Sequence, residues 1–146
     1  MKAIIQNQRV QRTWVYQMSE AKWSRDDFLH EIQNSHLQWP HYKIKGQGLP
    51  AAEDTLILFY APTGSEFPGI CGQGVIERFH PRSKKITFQV DPMTKRLSER
   101  PWWDGKAKKL LDEIRGRPPR ATLFSANRKQ AAAIHFGVQK WLRQTQ

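Results

Sequence analysis

Three tryptophans, Trp14, Trp23 and Trp39, stand within 26 residues of one another, and Tyr60 follows at the end of an apolar run. Flat indole and phenol rings do one kind of recognition chemistry well: they stack on, or edge against, another flat ring such as a nucleobase. Gln17 and Ser19 lie between the first two tryptophans and add hydrogen-bonding groups, and Lys43 adds a cation. His41, Lys43 and Tyr60 are also the one set whose types suit acid–base catalysis. Other chemistries lack their residues. There is no G-x-S-x-G, no P-loop and no H-E-x-x-H, and "GQGVIE" lacks the third glycine and following helix of a dinucleotide loop. Asp26 and Asp27 are adjacent in a helical stretch, so they point apart and serve as cap charges. The single cysteine, Cys71, excludes an internal disulfide and a thiolate zinc cluster, and its apolar setting marks an inert thiol. His36 and His41 are separated by Trp39–Pro40, which breaks helical spacing and speaks against a metal pair. No cofactor is expected.

Charge points to the partner. The formal net charge is +11, and from Lys95 onward 13 Lys and Arg face 4 Asp and Glu, against 11 and 9 in the first 94 residues. A basic segment joined to a nearly neutral one is the footprint of polyanion binding, most often nucleic acid. Lys106, Lys108, Lys109, Arg115, Arg117 and Arg120 lie off the apolar face of a helix or in the turn after it, and are the expected phosphate contacts. The longest apolar run, "LILFYA", is far shorter than a membrane span, and "MKAIIQNQRVQR" is too short and polar for a secretory leader. A cytoplasmic, monomeric protein without a membrane partner is the expectation.

The elements that must position these residues follow from patterning. Thr13–Met18 alternates as a strand, with Trp14, Tyr16 and Met18 on one face and Val15 on the other. Ser24 with Asp27 starts a helix carrying Phe28, Leu29 and Ile32 that should end near Asn34. Gln38–Ala52 holds two prolines and two glycines and reads as a long loop with Trp39 at its start. "TLILFYA", "GICGQGVIERF" and "KKITFQV" read as strands, with Gly72 and Gly74 marking a bulge or a close approach. Asp104 caps a helix whose buried face is Ala107, Leu110, Leu111 and Ile114 and which Gly116 stops. Trp102 and Trp103, just before it, are expected to pin it to the sheet, with a wedge or clamp as the alternative. A short strand follows, and Ser125 opens a last helix with a stripe of Ile134, Val138, Trp141 and Leu142. The expectation is one domain over 1–146: a flexible or edge-strand lead to residue 12, a core over 13–124 and a C-terminal helix over 125–146. Its class is α+β, a curved, barrel-like sheet with flanking helices.

The order of these pieces resembles the EVE domain family, a branch of the PUA-like superfamily. The resemblance rests on Trp14 followed nine residues later by Trp23 before a helix, on the Trp39 segment with Lys43, on "LILFYA", and on "FPGICGQGVIERF". It spans roughly residues 13–92. Where many members have Gly-Asp before the apolar strand this chain has "AEDT", and "PHYKIK" replaces a Gly-Val-Arg-Asn stretch. The resemblance implies a PUA-like fold and a non-catalytic reader that holds a modified base, such as modified cytosine or adenine, in an aromatic pocket, with DNA ahead of RNA. Trp14, Gln17, Ser19, Trp23, Trp39, Lys43 and Tyr60 would then frame the pocket. On the residues alone, Trp14 and Trp23 suit core packing as well, and Trp39 is the foremost pocket candidate. Two competing functions stand beside this one: an ASCH-like RNA-binding protein or ribonuclease using His41, Lys43 and Tyr60, and a partner-binding module of a restriction or toxin system.

Overall fold

The computed structural model describes residues 11–41, 43–46, 48–116 and 121–144. Seven strands form one mixed sheet in the order β2-β6-β5-β4-β1-β7-β3. They are β1 (Thr13–Met18), β2 (His36–Pro40), β3 (Ile44–Lys45), β4 (Thr55–Tyr60), β5 (Gly69–His80), β6 (Lys85–Val90) and β7 (Leu123–Ala126). The helices are α1 (Arg25–Glu31), α2 (Thr94–Glu99), α3 (Gly105–Arg115) and α4 (Arg128–Gln144). β1 is an interior strand, parallel to β4 with Thr13 opposite Thr55, and antiparallel to β7 with Thr13 opposite Ala126. The protein is thus α+β, with helices flanking a seven-stranded mixed sheet that stays open: β2 and β3 are its edges, and it does not close into the expected barrel.

Alternation along the strands divides the hydrophobic residues into two cores. Val15, Ile57, Phe59 and Ile70 face α2, α3 and α4, where Leu97, Ala107, Leu111, Ile114, Ile134, Val138 and Leu142 meet them. Trp14, Tyr16, Met18, Leu56, Leu58 and Tyr60 face the other way, onto Phe28 of α1 and onto Leu37 and Trp39 of β2. The edge strand therefore curls over the second face. Tyr16 and Trp39 lie 5.4 Å apart between ring centroids, and the Tyr16 hydroxyl donates to the Pro40 carbonyl.

Several local expectations are corrected. Gln38–Pro40 belong to β2 and Ile44–Lys45 to β3, so the long loop is broken by sheet pairing. Pro40 is tolerated because β2 is an edge strand. The first helix ends at Glu31, short of Asn34, with Ser24 accepting from the Asp27 N–H as its cap. Thr94–Glu99 forms a separate helix that ends before Pro101. Ser125 is a β7 residue, and α4 starts instead at a reciprocal cap: Asn127 Oδ1 accepts from Gln130 N–H while Gln130 Oε1 accepts from Asn127 N–H. Asp104 caps α3 as expected, accepting from Ala107 N–H at 2.9 Å.

The two glycine-marked positions of β5 behave as their sequence suggests. The register against β4 shifts between Leu58 and Phe59, and a Cβ on Gly72 would stand 2.7 Å from Thr94 Cγ2, so α2 packs onto bare backbone. Trp102 fastens the helical layer to the sheet: it exchanges backbone hydrogen bonds with Ile70, and its ring lies buried under Gly137 of α4. Among the described residues no helix is long and apolar enough to cross a membrane.

Candidate functional site at the open seam of the sheet

β7 pairs with β1 only over Thr13–Tyr16. Past that point Gln17 still donates its N–H to the Thr122 carbonyl, and Gln17 and Met18 stay paired with Phe59 and Tyr60 of β4, but on the β7 side no strand pairs with them among the described residues. Between this end and the curled-over β2 lies a cavity of about 820 Å³, within the range of small-molecule sites. Tyr16, Gln17, Met18 and Ser19 form one wall, Gln38, Trp39 and Pro40 the other, with Lys22, Trp23, Glu31, Ala121 and Thr122 completing it.

The aromatic wall centres on Trp39, which is 3% exposed. Its register opposite Ile86 turns the indole inward, where it meets Trp23 at 4.5 Å and Phe88 at 4.9 Å, both edge-on. Trp23 is half-buried. It is held by a turn in which Ser19 accepts from the N–H groups of Lys22 and Trp23, just ahead of the Ser24 cap. Two polar atoms on the lining residues are buried with no hydrogen-bond partner among the described residues: Trp39 Nε1 and Gln17 Oε1. Each such atom costs about 1–3 kcal/mol in a folded protein, a demand that a ligand with a donor and an acceptor would meet. Lys22 and Glu31 put one charge of each sign on the same lining.

Four of the seven expected base-binding residues, Gln17, Ser19, Trp23 and Trp39, are brought together here. Trp14 is not: it is fully buried, with its Nε1 donating to Asp54 Oδ2 at 3.0 Å. Tyr60 is also sealed in the core, 1% exposed, its hydroxyl donating to the carbonyls of Trp23 (3.0 Å) and Ser24 (3.3 Å). It supports the pocket residue Trp23 from beneath instead of lining the cavity, and burial pushes its phenol pKa up. Lys43 is exposed and off the lining, although its carbonyl accepts from Thr122 and Leu123 N–H at the cavity's rim. Lys22, Glu31, Tyr16 and Gln38 were missed. Tyr16 shares the β1 face of Trp14 and Met18, a signal present in the alternation; Lys22 and Glu31 depend on how α1 crosses the sheet.

The four expected phosphate contacts among the described residues, Lys106, Lys108, Lys109 and Arg115, are placed elsewhere. α3 packs on the opposite sheet face from the aromatic core. Lys106 borders a groove between α3 and α4, Lys108 pairs with Asp112 at 3.1 Å, and Lys109 is exposed. The Arg115 side chain is tucked against Phe59 (5.7 Å to the ring centroid) and lies 3.7 Å from Asp112. Arg117 and Arg120 lie outside the described residues. The three residues of the acid–base set have different partners: His41 stacks on Phe79 with centroids 4.6 Å apart, the Tyr60 hydroxyl donates to the Trp23 carbonyl, and the Lys43 carbonyl accepts from Thr122. The Cys71 thiol is buried, donates to the Leu58 carbonyl, and is pushed up in pKa by that burial. Among the described residues no cluster of His, Cys, Asp or Glu is placed to hold a metal ion.

No protein-family model matches the sequence, and no curated protein does. Solved structures share the fold. A hypothetical protein from Leishmania major is 11% identical, with a TM-score of 0.53 over 91% of this chain and 98% of its own. Protein PSPTO5229 from Pseudomonas syringae is 13% identical, with a TM-score of 0.51 over 86% and 99%. Rpa0253 from Rhodopseudomonas palustris is 10% identical, with a TM-score of 0.50 over 88% and 93%. At these identities the likeness is one of architecture: the chain shares an α+β fold with proteins of nearly matching extent.

Proposed function

We propose that this chain is a non-catalytic nucleic-acid reader of the EVE, PUA-like type, taking one extruded and modified base into the seam cavity, in DNA before RNA. The observation that carries the reading is the cavity wall itself: Trp39 and Trp23 meet there, and Trp39 Nε1 and Gln17 Oε1 await partners. Extruding a base costs a few kcal/mol, and an aromatic contact returns about 1–3 kcal/mol. A methyl group entering apolar surroundings adds about 0.8 kcal/mol. Shape alone therefore gives modest preference, and the two waiting polar atoms supply the larger share, about 1–3 kcal/mol for a well-formed pair.

The net charge of +11 supports the polyanion partner. Since α3 lies across the sheet from the cavity, phosphates next to the held base meet Lys22 and the Lys43 rim first. The decisive experiment is fluorescence anisotropy on single and double strands carrying one modified or unmodified base. The reading expects a preference for a modified base that disappears in Trp23→Ala. Equal affinity for all strands, untouched by Trp23→Ala, overturns it.

A second reading, a partner-binding module, is favoured by the groove between α3 and α4, where Phe136 is 69% exposed. It expects a protein complex that resists nuclease and is lost in Phe136→Asp.

A further inference from the structure

The loop after β4 is fastened to the rim of the cavity. The Glu20 carboxylate accepts from the N–H groups of Glu66 (2.9 Å) and Phe67 (3.4 Å), and the Glu20 N–H donates to the Ser65 hydroxyl at 3.4 Å. A Cβ built on Gly64 would stand 3.2 Å from the hydroxyl of Ser19, a cavity residue, so the loop packs directly on the cavity wall. This bracing holds Phe67 at the surface, 43% exposed. The Arg25 guanidinium lies over its ring, 4.5 Å from the centroid, and donates to the Ser98 carbonyl at 3.0 Å.

A surface aromatic ring joined to a guanidinium is the pair that single-strand-binding surfaces use, the ring meeting a base and the cation meeting a phosphate. Resting on the reading of the cavity as a base pocket, we infer that Phe67 and Arg25 form a second nucleotide subsite, which takes the base adjacent in the strand to the one in the cavity. Its ligand is any purine or pyrimidine nucleotide, because every base presents a π-face. The subsite gives the protein a preference for a base held within a strand over the same base as a free nucleotide. If Arg25 merely covers a surface ring, Phe67 has no effect on binding.

The test compares 5-methyl-2′-deoxycytidine monophosphate and N6-methyl-2′-deoxyadenosine monophosphate with trinucleotides that carry the same bases between two adenines. By calorimetric titration, Phe67→Ala is expected to lower trinucleotide affinity about 5- to 150-fold and to leave mononucleotide affinity unchanged. Phe67→Trp retains the trinucleotide affinity, which separates loss of the ring from loss of the fold. An undiminished trinucleotide affinity, or equal losses on both ligands, overturns the subsite and leaves the cavity reading standing. Mononucleotide binding that is absent, or indifferent to Trp23→Ala, overturns the cavity reading and the subsite with it.

Discussion

Trp23 meets Trp39 edge-on, with ring centroids 4.5 Å apart and planes at 86°, yet the two rings have unequal duties. Trp39 is 3% exposed and also packs on Tyr16, Phe28 and Phe88. Trp39→Ala should cost about 3–5 kcal/mol of stability, seen as a fall in the urea midpoint. Trp23 is half-buried, so Trp23→Ala should cost under about 2 kcal/mol and lower affinity for the preferred base about tenfold. Trp39→Phe keeps a ring and removes the N–H, and is expected to reduce discrimination between bases more than affinity.

Salt dependence separates the two basic surfaces. Lys22 lines the cavity, whereas Lys109 lies on α3, behind the sheet. Lys22→Ala should reduce the slope of log affinity against log salt by about 0.7 to 0.9, and Lys109→Ala should leave it unchanged. A smaller slope in Lys109→Ala and not in Lys22→Ala would place the strand on the helical face.

His41 ties acid stability to the cavity's edge strand. Its ring lies flat on Phe79, at 23° between planes, just past Pro40. Burial holds its pKa below the usual imidazole value; Lys84 and the His80 ring push the same way, and the His80 backbone opposes them. A histidine depressed in the folded state is protonated first in the unfolded chain. Its contribution is therefore full above the unfolded value of about 6.5 and is lost as pH falls from there toward the folded value. Urea midpoints should fall between neutral and mildly acid pH in the wild type, and the fall should be smaller in His41→Phe.

At Gly137 two effects oppose each other. In mid-helix, alanine is favoured over glycine by about 1 kcal/mol. Here the added Cβ would stand 2.0 Å from Trp102 Cη2, and Trp102 is buried and pinned to Ile70 by backbone hydrogen bonds. Overpacking of this kind costs about 1–3 kcal/mol or more, so Gly137→Ala should lower the melting temperature despite its better helix propensity.

β1, β4, β5 and β6 were legible because each alternates or runs apolar over six or more residues, and α3 because Asp104 and Gly116 bracket its apolar stripe. β2 was not, since Pro40 and the glycines after it mask a five-residue strand whose edge position makes proline harmless. Trp39 was selected for the pocket as a loop residue; it reaches the cavity from a strand. Tyr60 was misplaced because the end of β4 looks open in one dimension, whereas Phe28 of α1 packs on its ring and the Trp23 and Ser24 carbonyls, just ahead of that helix, accept from its hydroxyl. The lysines of α3 are recognisable as a charged face, but no local pattern tells which side of the sheet a helix packs on.

The interior place of β1 has a bearing on synthesis. β1 is made before β4 and β7, yet Thr13 is flanked by Thr55 on one side and Ala126 on the other. Such long-range pairing is slow to form, and here it waits for a segment near the far end of the chain. A nascent chain halted before Ala121 lacks the β7 partner of β1 and also lacks Ala121 and Thr122 of the cavity lining. Loss of β7 therefore does not trim the sheet at a dispensable margin; it removes the strand partner beside which the cavity forms.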